Sequence, residues 1–271
     1  MNLLEILYNF IEYLIIKRNL VYELAKKNFK SKYLGSFLGI IWAFIQPLIT
    51  ILIFWFVFAL GFRKGAVNGD CPFLLWLLAG MIPWFFISES INSSVNSISE
   101  NGYILKKVAF KVSILPVVKI ISVLVVHIFF VFVMLMIFWA YGFSFSIYYL
   151  QIGYYLLATI ILVIGISWIT SAIGVFIKDL GQIVNIVIQM GFWMTAIFWP
   201  INFIPEKYQI IIKLNPFYYI IEGYRNSLIA HKWFWEIPIS RTIYFWGLTC
   251  LITVSGIIIF RKLKPYFVDY L

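Results

Sequence analysis

Residues Lys26–Phe62 read KKNFKSKYLGSFLGIIWAFIQPLITILIFWFVFALGF. The stretch opens with Lys26, Lys27, Lys30 and Lys32, and then runs from Tyr33 to Phe62 without one Asp, Glu, Lys, Arg or His. A helix needs roughly 20 apolar residues to cross the hydrocarbon core of a bilayer. This run exceeds that length, and its basic flank lies on the N-terminal side. A basic surface segment therefore feeds directly into a membrane span, with the lysines expected on the cytoplasmic side.

The rest of the chain agrees. Hydrophobic residues make up 63% of the 271 residues and charged residues 12%, against about 25% charged in soluble domains. Such a chain is expected to lie mostly in the bilayer, as one domain over 1–271. Interface helices would occupy 1–32, spans 35–260 and a cytoplasmic tail 261–271. The formal charge of +10 would suit nucleic acid. The Lys and Arg sit beside apolar runs, however, where orientation and anionic membrane lipids explain them better; no nucleic-acid partner is expected. Cys71 and Cys250 fall in a loop and an apolar run, so no disulfide framework or zinc spacing exists. Glu5 and Glu12 interrupt the first apolar stretch, which argues against a cleavable signal.

Residues 3–16 read as an amphipathic helix, with Leu3, Leu7, Phe10 and Leu14 on one face. A second follows, with Val21, Leu24, Ala25 and Phe29 opposite Glu23, Lys26, Lys27 and Lys30; Lys32 breaks the pattern but can snorkel. Six spans are expected near 35–61, 73–95, 115–140, 149–177, 181–200 and 240–260. An even count puts both termini on one side. Two-thirds of the 21 Lys and Arg then share that side, which makes both termini cytoplasmic. Between 200 and 239, Pro200, Pro205, Pro216 and Pro238 punctuate the chain. Tyr208–Leu214 is too short to cross, and Pro216–Ala230 holds Glu222 and Arg225. Two short re-entrant helices in the outer leaflet are expected there, a backbone arrangement tolerated only inside protein or along a watery cavity. Asn215, Pro216, Glu222 and Arg225 then become candidates for an outer gate, the last two as an (i, i+3) ion pair.

The sequence holds no G-x-x-x-x-G-K-[ST] phosphate loop, H-E-x-x-H or G-x-S-x-G motif, and no bound cofactor or metal is expected. His127 stands alone in the third span and reads first as a helix–helix hydrogen bond. The second span turns polar after Phe85-Phe86, with Ser88, Glu89, Ser90, Asn92, Ser93, Ser94, Asn96 and Ser97. Either this is the inner wall of a pathway, or the span ends near Ile87 and a polar loop follows. Trp42, Trp55, Trp84, Glu89, Asn92, Trp193 and Trp199 are the pathway candidates, since aromatic faces suit sugar C–H faces and polar groups suit hydroxyls. Packing or lipid contact is the plainer role for any one tryptophan. Gly35 and Gly39 form G-x-x-x-G, read as a close helix contact or as a hinge. Pro47 is expected to kink the first span.

The ordered set of Leu34-Gly35 with Trp42 and Pro47, Pro83-Trp84-Phe85-Phe86, Asn101 with Ile104-Leu105-Lys106-Lys107-Val108, Leu115-Pro116, Lys178-Asp179-Leu180 and Leu214-Asn215-Pro216 with Glu222 and Arg225 resembles a known family. It is similar to the membrane subunits of polysaccharide exporters of the ABC transmembrane type-2 family, the O-antigen, capsule and teichoic-acid permeases, over essentially the full chain. One departure is Phe110-Lys111, where family members carry Phe-Pro. The resemblance implies an all-α integral membrane protein and a homodimer paired with two copies of a separate ATP-binding subunit that holds ATP and magnesium. It implies docking of that subunit on Glu23, Lys26, Lys27 and Lys30 and on Glu100, Asn101, Lys106 and Lys107. It further implies export of a lipid-linked polysaccharide from the cytoplasm across a bacterial inner membrane. The alternatives are a type-2 exporter of a lipid or drug, and a membrane-bound lipid-modifying enzyme. The enzyme would need an acidic or histidine cluster, for which Glu89 and His127 are the candidates within the spans.

Overall fold

The computed structural model describes residues 3–33, 36–61, 66–67, 71–102 and 111–270. Eleven α-helices order these residues: α1 Leu3–Ile16, α2 Arg18–Tyr33, α3 Trp42–Trp55, α4 Phe73–Val95, α5 Ile114–Ala140, α6 Gln151–Gly174, α7 Leu180–Trp193, α8 Glu206–Lys213, α9 Pro216–Arg225, α10 Ile239–Leu263 and α11 Phe267–Tyr270. The strand content described is one antiparallel pairing, Ala66–Val67 with Cys71–Pro72. Among the described residues, five helical stretches are long and apolar enough to cross a membrane: Gly39–Ala59, Phe73–Val95, Ile114–Ala140, Ile147–Gly174 and Ile239–Tyr270. The protein is an all-α, multi-pass integral membrane protein.

The fifth expected span departs from the sequence reading. Helix α7 stops at Trp193 rather than continuing to 200. Its 14 residues rise about 21 Å at 1.5 Å per residue, short of the ~30 Å core. Beyond its C-cap Met194 the chain enters a turn that contains Ala196, whose φ of +52° lies in the left-handed region that side chains disfavour. Thr195, Ala196, Ile197 and Phe198 are all fully buried in that turn.

Helix α4 is the axis of the bundle. Of its most apolar window, 78% is buried inside the protein, against 11% for the Gly39–Ala59 stretch. Helices α5, α6, α7 and α9 pack around α4, and α10 lies against α6. That last pair approaches closely because both sides are glycine: a Cβ at Gly256 would sit 2.7 Å from the Gly165 carbonyl oxygen. Small residues that let backbones meet replace the hydrophobic drive that lipid removes. Helix α3 stands apart. Its Leu48, Ile49, Leu52 and Ile53 are exposed, which in a membrane means lipid or another chain.

The N-terminal helices lie across the base of α5. Val21 and Ala25 are buried with Ile114 and Val118, and Phe10, Tyr13, Leu14 and Leu24 close over them. Glu23, Lys26, Lys27 and Lys30 face away and are exposed, so the two faces of α2 fall as its periodicity requires. Ser122 Oγ donates to the Ala25 carbonyl (2.9 Å) and Asn28 Nδ2 donates to Ser122 Oγ (3.1 Å), which pins α2 in place. Gly39 has φ +53° and open space around its missing Cβ. It therefore forms a left-handed turn between α2 and α3 and makes no close helix contact through its Cα. Gly35 lies outside the described residues.

Candidate functional site

The polar half of the second span is helical throughout: α4 continues to Val95, so no loop begins near Ile87. Its Ser88, Glu89, Asn92, Ser93 and Asn96 form one wall of a cavity of about 710 Å³. Helix α3 contributes Trp42, Ala43, Gln46, Pro47 and Thr50, α2 contributes Asn28, Lys32 and Tyr33, and α5 contributes Lys119, Ser122, Val126 and His127. Pro47 lies inside α3, where its ring removes a helix hydrogen bond. The volume falls in the range of small-molecule sites, which are mostly apolar with a few fixed polar groups.

Two ion pairs edge this cavity. Lys32 Nζ meets Glu89 Oε1 at 2.5 Å, and Lys119 Nζ meets Glu100 Oε2 at 2.6 Å. Lys32, which broke the amphipathic pattern of α2, thus turns inward to a carboxylate on α4. Burial acts to lower its pKa, but the charge and hydrogen bond of Glu89, helped by Tyr33, outweigh it and the net shift is upward. Any stabilisation from the Lys32 shift is therefore fully present at neutral pH. It is lost only as pH climbs past the lysine's own raised value. Both partners are more than a third exposed, so the pair contributes about 0–1 kcal/mol. His127 closes the deep end. Its ring lies 4.8 Å from Phe86 and its Nε2 is 3.1 Å from the Tyr224 hydroxyl. Glu89 and His127 therefore share one cavity, each already partnered. Among the described residues, no group of three His, Cys, Asp or Glu could hold a metal ion.

A second constellation is built around α9. Asn215 caps α9, its side chain accepting from the Phe217 amide at 3.0 Å, and Pro216 takes the first helical position, where its missing N–H costs nothing. Glu222 and Arg225 pair, but at 3.7 Å. The closer partners of Arg225 are two backbone carbonyls. Nη1 donates to Ala196 (2.9 Å) and Nη2 to Ile197 (2.7 Å), while the guanidinium lies 3.7 Å over the Trp76 ring. Arg225 is 2% exposed and Glu222's side chain 29%. The ion pair expected from the (i, i+3) spacing is thus the weaker part of a clamp on the turn that ends α7. A carbonyl partner has no sequence signature, and the buried cation was the available clue.

A family comparison settles the class of the chain: the model of the ABC-2 type transporter matches residues 19–229. The chain belongs to the ABC-2 type transporter family. Among its relatives, an O-antigen export system permease protein, RfbA, from Klebsiella pneumoniae is 29% identical over 264 residues, covering 93% of this chain and 95% of the relative. The RfbA protein of Myxococcus xanthus is 25% identical, covering 79% and 82%. The polysialic acid transport protein KpsM of Escherichia coli is 25% identical, covering 72% and 76%.

In this ABC-2 transporter chain the pathway candidates do not form one group. Trp42, Glu89 and Asn92 line the cavity, and Asn92 also donates to Asn185 of α7 at 3.3 Å. Trp84 is buried, edge-on to Phe217 and 5.7 Å from Phe192. Trp55 packs half-buried against the main core. Trp193 stacks on Trp199 at the far end, beside the Arg225 clamp turn. Asn215, Pro216 and Glu222 border a small cleft with Arg241 and Tyr244. Of the docking candidates, Glu23, Lys26, Lys27 and Lys30 lie exposed on α2, and Glu100 and Asn101 end the α4 region. Lys106 and Lys107 lie outside the described residues.

Proposed function

We propose that this chain is the membrane-spanning subunit of an ATP-driven polysaccharide exporter, and that a separate ATP-binding subunit supplies the hydrolysis. The observation that carries this reading is similarity along nearly the whole chain to O-antigen export permeases. These 271 residues hold no phosphate loop, which fits a chain that takes its energy from an ATP-binding partner. The cargo is a lipid-linked polysaccharide, taken from the cytoplasmic leaflet of a bacterial inner membrane. The cavity wall of amides, hydroxyls and carboxylates beside Trp42 and Phe85 has the chemistry to receive sugar. Two copies of the chain, each with its own ATP-binding subunit, would use the exposed apolar faces of α3 and α7 to meet each other. Six spans follow if α7 crosses together with its buried turn, with α8 and α9 as the re-entrant pair.

The test is reconstitution of the chain with its ATP-binding subunit in vesicles. Lys106→Glu combined with Lys107→Glu is expected to lower export and ATP hydrolysis severalfold while leaving membrane insertion intact. Reversed charge at a docking surface costs several kcal/mol through like-charge contact. Full transport in that variant would remove the loop from the docking surface; no ATP-dependent glycan movement by the unmodified complex would overturn the reading.

Topology gives a second expected result. With the basic end inside, a membrane-impermeant maleimide applied to intact cells should label Lys207→Cys and spare Lys27→Cys. Cys71 should stay silent in this assay, because burial pushes its thiol up to about 11 and the thiolate is the reactive form. Cys250 is exposed and is replaced by alanine. Labelling at 27 but not at 207 would invert the orientation.

A further inference from the structure

One short helix, α9, both holds the clamp and hydrogen-bonds the wall of the cavity. From the cavity, Phe86 and His127 form the deep wall. Behind His127, Tyr224 of α9 accepts or donates the 3.1 Å hydrogen bond and is 1% exposed. Its neighbour in sequence is Arg225, whose guanidinium holds the carbonyls of Ala196 and Ile197. We infer that His127, Tyr224 and Arg225 form a relay in which the state of the cavity wall sets whether the α7 turn is held closed.

Packing around α9 makes this more than proximity. Gly223 lies against the fully buried Tyr155 ring so closely that a Cβ would fall 2.1 Å from a ring carbon. On the other side, a Cβ at Gly80 would lie 3.0 Å from Arg225 Nη2. The helix therefore has little slack. Cores packed this tightly shift between discrete arrangements rather than deforming smoothly. A displacement of His127 by an occupant of the cavity must either break the Tyr224 bond or carry α9 with it, and the latter moves Arg225 relative to its carbonyls. Tyr224 and His127 are positioning residues in this scheme; Arg225 is the group that holds the turn.

The experiment reads the turn directly and does not depend on what is transported. Thr195, fully buried in the turn, is replaced by cysteine in a chain carrying Cys71→Ala and Cys250→Ala, in the membrane-reconstituted full complex. Labelling by a polar maleimide then reports opening. Relative to that parent, Arg225→Gln is expected to speed labelling by about tenfold or more, and Tyr224→Phe and His127→Leu by about fivefold. These two hydrogen-bond each other, whereas Arg225 is the donor to the turn carbonyls. His127→Gln, which keeps a hydrogen-bonding partner for Tyr224, should return the rate to within about twofold of the parent. A second reporter, Ala158→Cys in buried α6, should not change. The relay is overturned if Tyr224→Phe and His127→Leu leave Thr195→Cys labelling at the parent rate. It is equally overturned if Ala158→Cys accelerates in step, since that signals general loosening of the bundle.

Discussion

Arg225→Ala is expected to cost far more stability than Glu222→Ala, despite their being partners in one ion pair. Removing the guanidinium strands two buried carbonyls, those of Ala196 and Ile197, each losing a charged donor at 2.9 Å or less. An unsatisfied buried acceptor costs about 1–3 kcal/mol, so the loss should reach about 2–6 kcal/mol for the two. The cation over Trp76 is lost as well. Removing Glu222 leaves Arg225 with both carbonyls and the ring. The carboxylate is 3.7 Å away and 29% exposed, so its loss should cost about 1–2 kcal/mol, the guanidinium keeping its closer partners. Thermal unfolding of the purified chain in lipid nanodiscs measures both. The double variant should match Arg225→Ala alone. Equal losses from the two single variants would show that the ion pair, and not the carbonyl clamp, is the main interaction.

The second large effect concerns one hydrogen atom at Gly223. In an ordinary helix, glycine to alanine gains up to about 1 kcal/mol. At Gly223 the new methyl would lie 2.1, 2.3 and 2.4 Å from three atoms of the Tyr155 ring. Tyr155 is fully buried, so the ring has nowhere to swing. Overpacking of this kind typically costs 1–3 kcal/mol, and about 3 or more is expected here because a rigid ring must move. The clash therefore outweighs the propensity gain, and Gly223→Ala should destabilise the bundle. Gly247→Ala and Gly153→Ala supply the contrast. Nothing lies within 4 Å of a Cβ at either position, so both should be neutral or stabilising by up to about 1 kcal/mol. A Gly223→Ala chain as stable as the parent would mean that α9 can slide away from α6. That result would also remove the tight packing on which the His127–Tyr224–Arg225 relay depends.

Neither of those two sites is encoded in local sequence. The ionisable-free run from Tyr33 to Phe62 was legible as a span because the bilayer imposes one length on any helix that crosses it. The faces of α2 were legible because a 3.6-residue period places Val21 and Ala25 together whatever they pack on. Prolines at 200, 205, 216 and 238 announced short helices, and α8 and α9 are short. Glu222 and Arg225 were identified as neighbours because helical spacing alone brings them together.

What the linear order could not carry was every partnership across the bundle. Lys32 and Glu89 lie 57 residues apart, and nothing local distinguishes a snorkelling lysine from one that turns into a cavity. Trp84 reads the same from sequence whether it lines a pathway or packs on Phe192 and Phe217. The end of α7 at Trp193 has no local signal because apolar residues continue to Trp199; the turn beyond it contains a left-handed Ala196, whose carbonyl is taken up by a side chain 29 residues downstream. The sequence by itself determined membrane residence, the approximate spans and the amphipathic surface helices, since these follow from local periodicity and from transfer of each segment into lipid. Only the tertiary structure decided the cavity, the Arg225 clamp and its link to His127. These depend on which backbone carbonyls and ring faces the packed helices bring within hydrogen-bonding distance.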